Sequence, residues 1–171
     1  MSRINPKFGK ELKKYGATEF NSCYNCGTCT AVCSLSTGDD SFPRSMVRLS
    51  ETGNEDEISA SLKPWLCYYC GECSSNCPQT ANPGELMMSL RRWLTAKYDW
   101  TGLSGLMYKS LPATIIAMVL IFAGVIAYAA SEGFDAEKVM HIGHYFEMFA
   151  IAGVFGVILL PNLFRMWYFV I

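Results

Sequence analysis

Histidine is nearly absent from this sequence, and charge is missing from one long part of it. Only His141 and His144 occur in 171 residues, which excludes a catalytic or metal centre built on several imidazoles. No charged residue falls between Leu111 and Ala130, and a chain this short has no core large enough to hide such a stretch as an ordinary soluble helix. Net charge is −1, with no basic excess to attract nucleic acid, so no nucleic-acid partner is expected. No apolar run opens the chain: MSRINPKFGKELKKYG is polar and basic, and a cleaved secretory signal is not expected. Cysteine is confined to Cys23–Cys77. In a reducing compartment those thiols hold metal rather than pair as disulfides. No segment alternates apolar and polar residues as a strand does, so the expected fold class is all-α.

What is present divides the chain in two. Residues 1–110 carry 12 of the 14 Lys/Arg and 11 of the 15 Asp/Glu. We read 1–110 as a water-facing domain and 111–171 as a membrane region. In the first part a short helix is expected around Pro6 to Tyr15. One or two more are expected in the spacer 34–66, where Pro43 starts a helix, Met46, Val47 and Leu49 give it an apolar side, and Gly53 stops it. NPGELMMSLRRWLTAKYDW follows. Asn82 suits an N-cap, Pro83 the first helical position and Glu85 a capping box. Leu86, Leu90, Trp93, Leu94 and Tyr98 recur at helical spacing. With Arg91, Arg92 and Lys97 on it, this helix reads as a membrane-surface helix, a core helix of the cysteine domain, or both.

LPATIIAMVLIFAGVIAYAA, residues 111–130, has the length of a hydrocarbon core when helical. A second span is expected from near His141 to Pro161, with Glu147 its one deep charge. Basic residues precede the first span and Arg165 follows the second, while the connecting loop is acidic. The positive-inside rule therefore puts the cysteine domain in the cytoplasm and the loop 131–140 outside the inner membrane. The ending NLFRMWYFVI suggests a third span beginning there, the alternative being an end that lies in the membrane interface.

The cysteines form C-x2-C-x2-C-x3-C twice: Cys23, Cys26, Cys29 and Cys33, then Cys67, Cys70, Cys73 and Cys77. Three thiolates at this spacing curl around three corners of a cubane, and Gly27 and Gly71 let the backbone come close to it. In two-cluster ferredoxins the fourth cysteine of each run ligates the other cluster. On that rule one [4Fe–4S] cluster takes Cys23, Cys26, Cys29 and Cys77, and the second takes Cys67, Cys70, Cys73 and Cys33. A [3Fe–4S] cluster at one site is the commonest variant. Zinc, usually held by two separated C-x2-C pairs, leaves half the cysteines unexplained. Disulfides require an oxidising compartment. Tyr24, Tyr68, Tyr69 and Trp65 are expected to shield the clusters, or simply to pack the core.

The doubled run, the helical spacer, CPQTANPGEL and the arginine-bearing helix resemble the C subunit of heterodisulfide reductases over roughly residues 15–100. That resemblance implies an α-helical ferredoxin fold. With membrane spans attached, the chain looks like the membrane subunit of quinone-interacting membrane-bound oxidoreductase complexes, in which such a domain is fused to a b-type cytochrome. The resemblance implies flavin- and iron–sulfur-bearing partner subunits similar to heterodisulfide reductase A, and menaquinone as the carrier. Ser34 departs from the pattern, since ferredoxin runs often place proline there. Two clear spans are also fewer than a complete cytochrome needs.

His141 and His144 share a helix face with Glu147. An ionisable group inside a membrane is a functional candidate. One of the two, His144 by its depth, is a candidate axial ligand for haem b. A quinone site is the second reading, and polar side chains at headgroup level the third. The function expected is electron transfer between a cytoplasmic redox partner and the quinone pool, with no substrate chemistry on this chain. The alternative is a docking anchor that does not react with quinone.

Overall fold

The computed structural model describes residues 4–38, 41–131, 151–153 and 155–168. Helices dominate: α1 (Phe8–Lys13), a 3-10 turn (Phe20–Ser22), α2 (Thr28–Ala31), α3 (Arg44–Thr52), α4 (Glu55–Ser59), α5 (Lys63–Leu66), α6 (Glu72–Ser75), α7 (Pro83–Tyr98), α8 (Leu103–Lys109) and α9 (Leu111–Ser131). Residues 151–153 and 155–168 are helical again. Among the described residues the one extended pairing is an isolated antiparallel bridge between Ile4 and Asn54. His141, His144 and Glu147 lie outside the described residues.

α7 is the spine of the first 110 residues. Leu86, Met87, Leu90, Trp93, Leu94 and Tyr98 are all buried on it. They meet Phe8 and Leu12 from α1, Phe20 from the 3-10 turn, Met46 and Val47 from α3, and Ile58 from α4. The Phe8 ring stands edge-on to Trp93, centroids 4.9 Å apart. Each such side chain contributes about 1.5–3 kcal/mol by leaving water.

The basic residues of α7 turn inward. Arg92 donates to the Tyr15 carbonyl at 2.8 Å, and Lys97 donates to Ser59 Oγ at 2.7 Å and sits over the Trp93 ring. Arg91 is tied to α5, the helix that leads into the second cysteine run. All three serve the domain's own packing, as a core helix requires.

The expected capping at Asn82 is replaced. Asn82 takes a left-handed conformation (φ 46°) without a side-chain cap, and its amide donates to Glu19 instead. Glu85 reaches Arg92 and accepts from Tyr69 O–H, so it closes no capping box. The stop at Gly53 is as expected. Its φ of +74° is left-handed, and a Cβ there would stand 2.2 Å from the Asn5 carbonyl oxygen.

At Ser110 the chain breaks. α8 and α9 meet there with a bend of 118°. Pro112 explains the break, because its ring would clash with the carbonyl four residues back and it offers no N–H. Thr114 Oγ1 donates to the freed Met107 carbonyl at 2.8 Å. Beyond the bend, α9 presents Ile115, Ile116, Leu120, Ile121, Phe122 and Val125 to the outside. The segment Ile151–Tyr168 is long and apolar enough to cross a bilayer, and the bent α8–α9 pair counts as a second only if taken as one broken span. Apolar surface of this extent marks a contact with lipid or protein.

Candidate functional site

The two cysteine runs fold as copies. Cys23 and Cys67 are extended, with φ, ψ of −69°, 125° and −65°, 121°. Two residues on, Asn25 and Tyr69 are left-handed at φ 62° and 58°. Gly27 and Gly71 follow at φ 90° and 86° and open the short helices α2 and α6. These glycines are needed because other side chains rarely adopt that backbone. Burial repeats as well: Cys29 and Cys73 are buried, Cys26 and Cys70 exposed, and the other four intermediate.

α2 packs against α6, so the two runs face each other. Cys33, Cys67, Cys70 and Cys73 line one cavity, backed by Phe42, Pro43 and Met87. Three of those cysteines come from the second run and one from the first. On the other side Cys23 feels the charges of Cys77 and Cys26, and Cys29 those of Cys23 and Cys26. Cys73 feels Cys29 as well as Cys67 and Cys70, so the two groups adjoin.

Burial pushes the thiols of Cys23, Cys29 and Cys73 up, that of Cys73 to about 11, and neighbouring cysteines push the same way. Cys26 is lowered, chiefly by the Thr28 hydroxyl 3.3 Å from its sulfur. Buried thiolates crowded together need compensating positive charge, and iron supplies it. Backbone N–H groups of Asn25 and Ala81 point at Cys23 and Cys77 sulfur, each at 3.4 Å.

The donor set is all sulfur and four cysteines line one cavity, so the residues fit such a group. Among the described residues no three His, Cys, Asp or Glu could hold one metal ion. Thiolates around one zinc stand about 3.8 Å apart, given bonds of about 2.3 Å. In a cubane each thiolate takes a different iron, so the donors spread more widely.

Arg91 positions the second run, a role that no local sequence pattern marks. Its guanidinium donates to the Pro64 carbonyl at 2.7 Å and the Trp65 carbonyl at 2.9 Å, and it also reaches the Cys67 carbonyl. Ser34, which stands where ferredoxin runs often place proline, shares a 2.8 Å hydrogen bond with Tyr68 O–H and so ties the end of one run to the start of the other. The four aromatics expected to shield the site are partly in water, with Tyr24 58%, Tyr68 64%, Tyr69 51% and Trp65 39% exposed. Tyr68 and Tyr69 line the cavity from its outer side.

Residues 22–82 match the family described as a 4Fe-4S dicluster domain. The cysteine-bearing segment is therefore similar to iron–sulfur domains of that description. Its relatives are named more narrowly. The C subunit of the H(2):CoB-CoM heterodisulfide,ferredoxin reductase of Methanothermobacter thermautotrophicus is 30% identical over 76 residues, 44% of this chain and 41% of that protein. The iron-sulfur C subunit of the CoB--CoM heterodisulfide reductase of Methanopyrus kandleri is 31% identical over 129 residues, 71% of this chain and 62% of that one. The C subunit of the Ferredoxin:CoB-CoM heterodisulfide reductase of Methanosarcina acetivorans is 29% identical over 83 residues, 48% and 33%. The chain is thus similar to the C subunits of heterodisulfide reductases, and it spans less than two thirds of the length of each of these relatives.

Proposed function

We propose that this chain is the membrane-anchored iron–sulfur subunit of a heterodisulfide-reductase-like complex. It passes electrons between a redox partner on the cytoplasmic side and the quinone pool. The observation that carries this reading is the pairing of the runs, with Cys33 beside Cys67, Cys70 and Cys73, and Cys23 beside Cys77. Cys33, Cys67, Cys70 and Cys73 hold one [4Fe–4S] cluster, and Cys23, Cys26, Cys29 and Cys77 hold the other. When bound, such clusters each take up and release one electron. The protein's own part is to set the thiolates, aim N–H groups at sulfur and keep bulk water off the inner face.

The exposed apolar helices support a membrane anchor, with residues 1–110 in the cytoplasm and 131–140 outside. Partner subunits bearing flavin and iron–sulfur groups supply any substrate chemistry. Haem b on His144, or a quinone contact at His141, belongs to the same reading. The same apolar helices also suit a docking anchor whose clusters are structural.

Replacing Cys70 with Ala separates the two. Electron transfer requires quinone-linked turnover to fall by at least about tenfold in a complex that still assembles, a loss of about 1.4 kcal/mol or more in transition-state stabilisation. Survival of turnover favours the docking anchor. EPR of the reduced protein is expected to show two interacting cubane signals. Absence of a haem band in the reduced-minus-oxidised optical spectrum removes the haem role of His144.

A further inference from the structure

We propose that the head of a membrane quinone binds in a second cavity, between α5, the end of α7 and the helix within Ile151–Tyr168. The inference rests on the quinone-linked reading above and assigns the place of the exchange. The cavity measures about 210 Å³. Leu159, Leu163 and Met166 of the apolar helix form one wall, while Trp65 and Thr95 of the cysteine half form the other. A ligand dissolved in lipid therefore meets an apolar wall on one side and the iron–sulfur domain on the other.

The chemistry of the wall suits a quinone. A quinone head is a flat ring whose two carbonyls only accept hydrogen bonds, so its site needs an aromatic or aliphatic face and donors. Trp65 offers an indole ring and its N–H. Asn162 Oδ1 accepts from the Trp100 backbone N–H at 3.2 Å, which leaves the Nδ2 amino group as the donor Asn162 can supply. The Asp99 carboxylate in the same wall already accepts from Ser104 and Thr101.

The path to the thiolates is short in sequence and fixed in space. Trp65 lies two residues before Cys67, and Arg91 holds the carbonyls of Pro64, Trp65 and Cys67 together. Reduction of quinone to quinol here takes two electrons, delivered one at a time by the iron–sulfur clusters, and two protons from the water side. The reverse reaction returns both. Trp65 is far along the chain from His141 and His144, and Leu159 follows His144 by fifteen residues, so labelling mapped to the residue distinguishes the two places.

The test is photolabelling of the intact protein in lipid vesicles with an azido-naphthoquinone, followed by peptide mapping. The expected result is saturable label on peptides containing Trp65 or residues 159–166, displaced by unlabelled naphthoquinone but not by added phospholipid. Leu163→Trp, which fills the cavity, is expected to lower that label about tenfold, equivalent to about 1.4 kcal/mol of binding, with the cluster EPR unchanged. Should Leu163→Trp disturb the clusters, Asn162→Leu serves instead, since it removes the donor and nearly preserves the volume. Saturable label confined to residues 141–147 or elsewhere overturns this site while leaving the quinone reading intact. No saturable label anywhere overturns both.

Discussion

Arg91 places its guanidinium on three carbonyls, those of Pro64, Trp65 and Cys67, and so fixes the entry to the second cysteine run. Lysine has the charge but not the planar fork that can serve several acceptors at once. We expect Arg91→Ala to weaken the cluster on Cys67, Cys70 and Cys73 first, with that signal bleaching at least about fivefold faster under a chelator than the one on Cys23, and Arg91→Lys to recover little. Such a change corresponds to about 1 kcal/mol in a barrier. Equal loss of both signals would show that Arg91 supports the whole domain rather than one run. The cysteines themselves were legible in the sequence because ligand spacing is local. The role of Arg91 was not, since its partners are backbone carbonyls more than twenty positions away and leave no pattern in side-chain identity. Asn82 and Glu85 show the converse, for an N-terminus that looked well capped is claimed instead by Glu19, Tyr69 and Arg92.

Between elements, the turn from α7 to α8 is organised by one carboxylate. Asp99 accepts from Thr101 N–H and O–H and from Ser104 N–H and O–H, at 2.6–2.9 Å. Burial raises its pKa, but these four hydrogen bonds outweigh that and bring it down to about 2. A carboxyl depressed in the fold stabilises it fully above the unfolded value of about 3.9 and loses that effect as pH falls through about 2. After allowance for solvent screening at this partly exposed site, the turn gains about 1 kcal/mol. Hydrogen exchange of amides 100–106 should therefore be about fivefold faster in Asp99→Asn than in the parent. That gap should be constant from pH 8 to 5, and a gap that closes near pH 6 would mean another group controls the turn. Helix α7 itself was readable from its apolar period. The 118° break at Ser110 was not read, although Pro112 signals it, because the charge-free run drew attention to length alone.

For the whole molecule, the surface changes along the chain among the described residues. Buried apolar side chains form the core up to Tyr98, and exposed ones dominate from Leu111 onward. The proposed placement in the inner membrane makes a definite statement about sidedness. Cysteines placed singly at position 10 and at position 135 should differ in labelling of intact spheroplasts by a membrane-impermeant maleimide, with only position 135 reacting. The opposite pattern, or equal labelling, rules out the proposed orientation. The cavity shared by Trp65 and Leu163 belongs to this scale too. It joins residues nearly a hundred positions apart, and only their packing brings it into being.

The matched loops carry one more implication. Asn25 and Tyr69 share a left-handed backbone that asparagine adopts readily and a bulky aromatic residue does not. Tyr69 keeps its phenol on Glu85 of α7, whereas Asn25 reaches Glu51 of α3. The two sockets thus share a backbone and differ in what they are bolted to. Differences between the two halves arise in α3 and α7, the neighbours, and in side chains within the runs, such as Thr28 beside Cys26 where the second run has Glu72.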